Sequence, residues 1–248
     1  MNSQNIYDND AFFGEYKKLR KSEANYNRLL EQPAMLSLLP SLVDKSVLDL
    51  GCGFGQNCVE FITLGAKSVL GIDISEKMLA VAKQENANEN IEYLHENMTT
   101  VSKFRDEFDL IYSSLAFHYI EDFPSLCASL YGALKSGGTL LFSQEHPIVT
   151  ATKEGKHYYL KDENGTPYAY AFSDYASVGE RKIHWFVDGV IKYHRRFSDI
   201  INALVSVGFI IDKVLEPYPS DEACSLLPKM VKKESVKPSF LIVRAIKK

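Results

Sequence analysis

The sequence predicts an α/β fold in which helices cover both faces of a doubly wound parallel sheet. Three observations point there. Short apolar runs alternate with helix-period segments from residue 46 to residue 143. The connections between them are short, which calls for parallel strands joined by right-handed crossovers. The first run, Val47-Leu48-Asp49-Leu50, leads straight into Gly51-Cys52-Gly53-Phe54-Gly55 and then a helical pattern. Ligands bind such sheets outside the carboxyl ends of the strands, where that glycine-rich turn would lie.

The elements follow in order. Residues 1–21 place Tyr7, Phe12, Phe13 and Tyr16 ahead of Lys17, Lys18, Arg20 and Lys21. That pattern fits a lone amphipathic helix, packed on the domain edge or serving as a lid. Residues 23–40 read as helical, broken or restarted at Pro33. Strands are expected at Ser46–Leu50, Ser68–Asp73, Ile91–His95, Phe108–Ser113 and Thr139–Ser143. Helices fall between them: Gln56–Leu64, a segment capped by Ser75, and one running from Pro124 through Leu134 to Gly137-Gly138.

Residues 147–197 break the rhythm with Tyr, His and charged residues and turn signals at Asn164-Gly165 and Asp188-Gly189. A two-residue turn at Asp188-Gly189 predicts a hairpin pairing Trp185 with Lys192 and His184 with Tyr193. Such an insertion is a natural cover for a substrate pocket. The rhythm then resumes with a helix capped by Ser198, a strand at Phe209–Val214 and a rigid bend at Pro217-Tyr218-Pro219. A charged loop over Lys229–Lys237 and a last strand at Phe240–Ile246 follow. Four regions result: an N-terminal helical segment (1–41), a core carrying the glycine turn (42–146), an inserted cap (147–197) and a completion of the core sheet (198–248).

Composition narrows the function classes. Hydrophobic residues at 46% allow a sizeable core, and a net charge of −4 gives no global field that favours nucleic acid. Cys52, Cys58, Cys127 and Cys224 form no CxxC pair and have no histidine at zinc spacing. Reduced thiols in a cytoplasmic protein without a metal site are therefore expected. Met1–Asp10 lacks the apolar core of a signal peptide, and no run of about 18 apolar residues exists to span a membrane.

Two acids at neighbouring strand ends form the main constellation. Asp49 precedes Gly51 by two residues, where its carboxylate would face the ligand space; Asp73 follows 22 residues after Gly51. An acid about 20 residues past the glycine turn suits a ribose diol, whose two hydroxyls it can accept. The dinucleotide pattern wants its third glycine at position 56, which is Gln56; Gly55 comes one residue early. Asp49 would also repel a pyrophosphate, whereas a nucleoside with a cationic amino-acid tail would be attracted.

Val47–Gly55 resembles the first motif of the class I S-adenosylmethionine (SAM)-dependent methyltransferases. Leu70-Gly71-Ile72-Asp73-Ile74-Ser75 is similar to their next motif, and Phe108–Tyr119 to their fourth-strand region. The resemblance covers about residues 42–145. It implies a Rossmann-like seven-stranded, mostly parallel sheet with an antiparallel last strand, and a small-molecule acceptor. It also implies site roles. Gly51 and Gly53 would line the methionine tail, with Asp49 near its amino group. Asp73 would hold the ribose hydroxyls and Ile74 would pack on the adenine. Asn97-Met98 would stand where relatives place an acid and an apolar residue against the adenine. Ser114 and Leu115 would lie beneath the methionine portion, and Arg20 would meet its carboxylate.

Catalytic residues are less constrained. Methyl transfer is an in-line displacement that positioning and desolvation can drive, with a base needed only for a protonated acceptor. His118 and Glu145-His146 fall just past the fourth and fifth strands and are the candidates for taking a proton or orienting an acceptor. Trp185, Tyr193 and His194 on the hairpin are the substrate-contact candidates. The expected activity is transfer of a methyl group from SAM to a small molecule, with no nucleic acid or membrane partner. Two rivals stand beside it: a non-catalytic SAM-binding regulator, and a nicotinamide-dependent oxidoreductase, disfavoured by Gln56 and Asp49.

Overall fold

A computed structural model of the chain describes residues 4–156 and 158–248; Met1–Ser3, the start of the polar N-terminal stretch, lie outside the described residues. In chain order the first elements are α1 (Asp10–Lys21), α2 (Gln32–Ser37), β1 (Ser46–Leu50), α3 (Gln56–Thr63), β2 (Ser68–Asp73), α4 (Glu76–Glu85), β3 (Ile91–His95), β4 (Phe108–Ser113), α5 (Phe123–Ala133) and β5 (Leu134–Glu145). The cap region holds α6 (Pro147–Thr150), β6 (Tyr158–Lys161), β7 (Pro167–Ala171), β8 (Gly179–Trp185) and β9 (Val187–His194). The chain closes with α7 (Phe197–Ser206), β10 (Ile210–Leu215), α8 (Asp221–Leu226), α9 (Pro228–Glu234) and β11 (Phe240–Ile246).

Seven strands form one sheet in the order β10-β11-β5-β4-β1-β2-β3. The first five pair in parallel, and β11 runs antiparallel to both β5 and β10. The expected Rossmann-like architecture is therefore present. Strand parity builds the core. Leu48, Leu50, Ile72, Ile111 and Phe142 pack under Leu126 and Leu130 of α5 and Ile200 and Leu204 of α7. Val47, Val69, Leu110 and Tyr112 face the other way, onto Met35, Phe61 and Leu79 of α2, α3 and α4. Burial on both faces explains why these strands read as near-continuous apolar runs. The winding reverses beside β1, so the carboxyl ends of β1, β2 and β4 splay around one crevice.

Four local expectations need correction. The helix at residue 198 begins earlier, at Phe197, because Asp199 accepts from both the backbone and the guanidinium of Arg196. Leu134, read as helical, is the first residue of β5 and sits opposite Phe108. The charged stretch after Lys229 is largely helix. Pro228 presets its first turn, and Met230 is buried with Leu29, Leu30, Ala223 and Phe240. Last, the hairpin has a different register. Trp185 faces Val187, Ile183 faces Val190 and Arg181 faces Lys192, with Phe186 in the turn at φ 60°. Asp188-Gly189 thus lies inside β9.

Tertiary contacts override the Asp-Gly turn preference. Trp185 and Phe186 pack edge-on against Phe12 of α1, ring centroids 5.1 and 5.6 Å away. Gln4 completes the hairpin edge, donating to Gly189 O at 2.7 Å and accepting from Ile191 N at 2.8 Å. The hairpin tip and the N-terminal helix therefore hold each other.

Candidate active site

A cavity of about 720 Å³ opens at the carboxyl ends of β1, β2 and β4, within the range that encloses a cofactor-sized ligand. Its floor is the glycine turn. Gly51 sits at φ 76°, and a Cβ there would meet the Ala116 Cβ at 2.8 Å. A Cβ on Gly53, at φ 54°, would meet nothing within 4 Å, so the loop is bare toward the cavity. Asp73 braces that loop from β2: its Oδ2 accepts from Gly53 N at 2.8 Å and its Oδ1 from Ser75 N at 2.9 Å. Burial raises its carboxyl above the usual range, and those two N–H bonds oppose the rise. Asp73 lines the cavity with acceptor capacity left on both oxygens.

Asp49 does not face this space, which corrects the sequence expectation. Strand parity turns it with Val47 toward α3, where it is fully buried. Its Oδ2 accepts from the Cys58 thiol at 3.5 Å and its Oδ1 has no partner. Burial pushes its carboxyl up to about 7. The unfolded chain ionises this group from about pH 4, whereas the native chain keeps the proton until about pH 7. The native state therefore binds more protons in between, and stability falls as pH rises through that window, by at most about 1.4 kcal/mol per pH unit. Urea unfolding at pH 5, 6 and 7 should show this extra slope in the wild type relative to Asp49→Asn; parallel curves would exclude it.

One wall comes from the adenine-side candidates. Ile74, Asn97 and Met98 all line the cavity. Asn97 accepts from Thr99 N at 2.9 Å and so caps the short 3-10 turn Met98–Lys103. At the end of β4, Ser114 and Leu115 line it too. Leu115 sits at φ 53°, a strained conformation for a branched residue, held by its N–H bonds to Ser143 O at 3.1 Å and Ser143 Oγ at 3.0 Å.

The roof is the N-terminal segment. Tyr7, Tyr16 and Arg20 line the cavity, and Arg20 donates to Asn27 Oδ1 and, at 3.1 Å, to Gln56 Oε1. Asp8 latches the segment down. Its carboxylate accepts from Ser75 Oγ at 2.5 Å, Lys77 N at 3.2 Å and Glu76 N at 3.3 Å, at the start of α4. Beneath the roof Glu31 is buried, accepting from Ser114 Oγ at 2.8 Å, from Ser143 Oγ and from Asn27 Nδ2 at 2.7 Å.

The far end holds the acceptor-side candidates. His118, Tyr119, Glu145, Trp185 and Lys192 line it together. Glu145 and Lys192 form a 2.6 Å ion pair between β5 and β9, and the Lys192 ammonium lies 4.8 Å from the Trp185 ring centre. His118 Nδ1 accepts from Glu145 N at 3.4 Å, and burial pulls this imidazole down to about 3, so it is neutral at physiological pH. Three candidates fall outside. His146 accepts from Ile148 N at 3.2 Å to cap α6 and meets Glu216 at 2.9 Å. His194 is buried between Thr150 Oγ1 at 2.9 Å and Tyr175 O at 3.0 Å. Tyr193 stands opposite Glu180 away from the cavity. His146 lies just past β5, as the cap of α6; Tyr193 alternates to the other face from Lys192, whereas His194 shares the face of Lys192 but sits two residues further along, against Thr150 and Tyr175.

Residues 48–142 match the methyltransferase domain family. An uncharacterized protein of Haemophilus influenzae is 40% identical over 227 residues, 89% of each chain. The crystal structure of an S-adenosylmethionine-dependent methyltransferase from Mesorhizobium loti superposes with a TM-score of 0.79 at 38% identity, covering 88% of this chain and 97% of that one. The chain belongs to the S-adenosylmethionine-dependent methyltransferases. A demethylmenaquinone methyltransferase of Lactococcus lactis is 30% identical over 160 residues, 62% of this chain and 63% of its own.

The cavity of this methyltransferase fits its cofactor, SAM. The bare backbone over Gly53 leaves room for close approach, and Asp73 offers acceptors for a diol. Ile74 and Met98 give an apolar slot, and the Arg20 guanidinium suits a carboxylate. Sequence reasoning missed Tyr7, Tyr16, Tyr119, Glu31 and Lys192. Tyr119 directly follows His118, and Lys192 was placed opposite Trp185 by the wrong register. Glu31 carried no signal, because a lone acid in an amphipathic helix reads as solvated.

Proposed function

We propose that this methyltransferase acts on a small molecule whose reacting atom enters at the His118–Glu145–Trp185 end of the cavity. The observation that carries this reading is the closed roof: α1, latched through Asp8, and the β8–β9 hairpin, pinned by Lys192, cover the cavity from two sides. A cavity so covered admits a small molecule more readily than a folded macromolecule. The demethylmenaquinone methyltransferase, which acts on a small acceptor by its name, supports the same reading.

In this reading Asp73, Ile74, Asn97 and Met98 hold the nucleoside part of SAM. Gly51, Gly53, Ser114, Leu115 and Arg20 hold its methionine part. When bound, SAM supplies a methyl group on a sulfonium sulfur. The chain's own contribution is placement and water exclusion. Tyr7, Tyr16, Tyr119 and Trp185 wall the reacting end with rings and so strip water from the acceptor. His118, kept neutral by burial and with Nδ1 accepting from Glu145 N, presents its Nε2–H as a donor to a lone pair of the acceptor molecule and so aligns it. Glu145, held by Lys192, is the anionic group at hand for the proton released.

The test is a metabolite extract incubated with the enzyme and methyl-labelled SAM. A labelled product below about 1 kDa is the expected result. Label that stays with protein or nucleic acid, or SAM binding with no transfer to any pool, would refute the reading.

A further inference from the structure

A second cavity, about 640 Å³, lies against the first and shares Tyr26, Glu145 and Phe240 with it. Its remaining wall is Val149, Ser239, the β6 residues Tyr158 to Lys161, and Lys233 and Lys237 near the end of α9. Charge sets it apart. Three lysines and one carboxylate line it, although the whole chain carries a net charge of −4. The carboxylate, Glu145, is already engaged by Lys192 on the side of the first cavity.

The lysines are built in rather than scattered. Lys237 is buried, with its ammonium bonded to Ser239 Oγ at 3.0 Å. It lies 6.0 Å from the Tyr159 ring centre and 5.6 Å from that of Tyr170. Lys233 lies 5.5 Å from the Tyr159 ring centre. Tyrosine faces thus hold the ammonium groups without neutralising them. Glu234 is the nearby acid; its oxygens accept from Ser239 N at 2.9 Å and Ser239 Oγ at 2.5 Å, and its single charge offsets only part of that of Lys237 and Lys233.

We propose that this second cavity binds the anionic group of the methyl acceptor, a carboxylate or phosphate, while the reacting end passes Glu145 into the cofactor cavity. The acceptor class is then an elongated organic anion with an apolar or aromatic stem. The shared wall of Tyr26 and Phe240 suits that stem, and Lys237 and Lys233 suit its charge. This rests on the small-molecule reading above.

Two measurements test it. The first uses anilinonaphthalene sulfonate, an aromatic anion, and N-phenylnaphthylamine, its neutral counterpart, titrated by fluorescence at low salt. The anion should bind at least tenfold tighter than the neutral probe. That preference should fall at least fivefold in Lys237→Met and in the surface variant Lys161→Gln/Lys233→Gln. Calorimetric binding of S-adenosylhomocysteine should stay within twofold of wild type in both, which also reports folding. Equal binding of the two probes, or an undiminished preference in the surface variant, overturns the proposal. The second takes the labelled product from the extract screen over an anion-exchange resin at pH 8. Retention of the product is expected, and a freely eluting one overturns the anionic site while leaving the small-molecule reading intact. Failure of the screen to give any small product would instead fall on that reading.

Discussion

Asp73→Ala is expected to weaken S-adenosylhomocysteine binding at least 100-fold by calorimetry, while the protein stays folded. Two losses combine. In the proposed site the carboxylate is the acceptor pair at the cavity wall for the ribose diol, and a hydrogen bond to a charged group contributes about 1.5–3 kcal/mol. The same carboxylate fixes Gly53 N and Ser75 N, so its removal also loosens the glycine turn. Asp73→Asn separates the two. An amide keeps one acceptor but turns an NH2 group toward either Gly53 N or Ser75 N, donor against donor. It should therefore bind only slightly better than the alanine variant. About tenfold is 1.4 kcal/mol, so a 100-fold loss requires most of both effects. Binding within threefold of wild type in Asp73→Ala would remove Asp73 from the proposed cofactor site.

The parts of this protein that sequence reveals are those where local pattern and tertiary demand agree. β1 and β2 are apolar because both faces are covered, and Gly51 is required because Ala116 leaves no room for a Cβ. Those constraints act within a few residues, so spacing pointed to Asp73 and the family resemblance to Ile74, Ser114 and Leu115, all four of which line the cavity. Asp49 shows the limit. Its position in the motif suggested the ligand space, but the alternation of β1 was the better guide, since it places Asp49 with Val47 and Cys58. A residue can accompany a site in sequence and stand behind it in space.

The cap was less legible, because its register is set from outside. Asp188-Gly189 has the turn chemistry of a hairpin, yet Phe12 and Gln4, more than 170 residues away, decide where the chain reverses. A shift of that kind moved Lys192 from opposite Trp185 to opposite Arg181. Arg181 in turn fixes the base of the hairpin, donating from Nε to Thr150 O at 3.1 Å and Ala151 O at 3.0 Å, and from its terminal nitrogens to carbonyls of the neighbouring turn. Thr150 and Ala151 lie 31 and 30 residues before it in the chain. His146 and His194 failed as candidates for the same reason: each satisfies a local or cap contact that only the folded chain defines.

Lys192→Met should destabilise the protein by about 2–4 kcal/mol in urea unfolding and reduce methyl transfer more than it reduces cofactor binding. The Lys192 ammonium is nearly all buried, whereas the Glu145 side chain keeps 22% of its exposure. Removing the lysine leaves a mostly desolvated carboxylate without its ion-pair partner, the costly way to break a buried ion pair, and the partial exposure places the effect below the usual upper value. Methionine retains the stem volume, so the loss reports charge rather than packing. The double variant Glu145→Gln/Lys192→Met should recover at least half of the stability, because the stranded charge is gone; additive losses would show the two residues to be uncoupled. The pair joins β5 of the sheet to β9 of the cap across 47 residues, and the same ammonium lies under Trp185. Its loss therefore frees the aromatic wall of the acceptor end while leaving Asp73 and the glycine turn in place. S-adenosylhomocysteine affinity should stay within about threefold, with transfer of label to the extract product falling at least tenfold. A variant that lost both equally would mean that the cap closes on the cofactor itself, and one that lost neither would mean that Trp185 is no part of the acceptor wall.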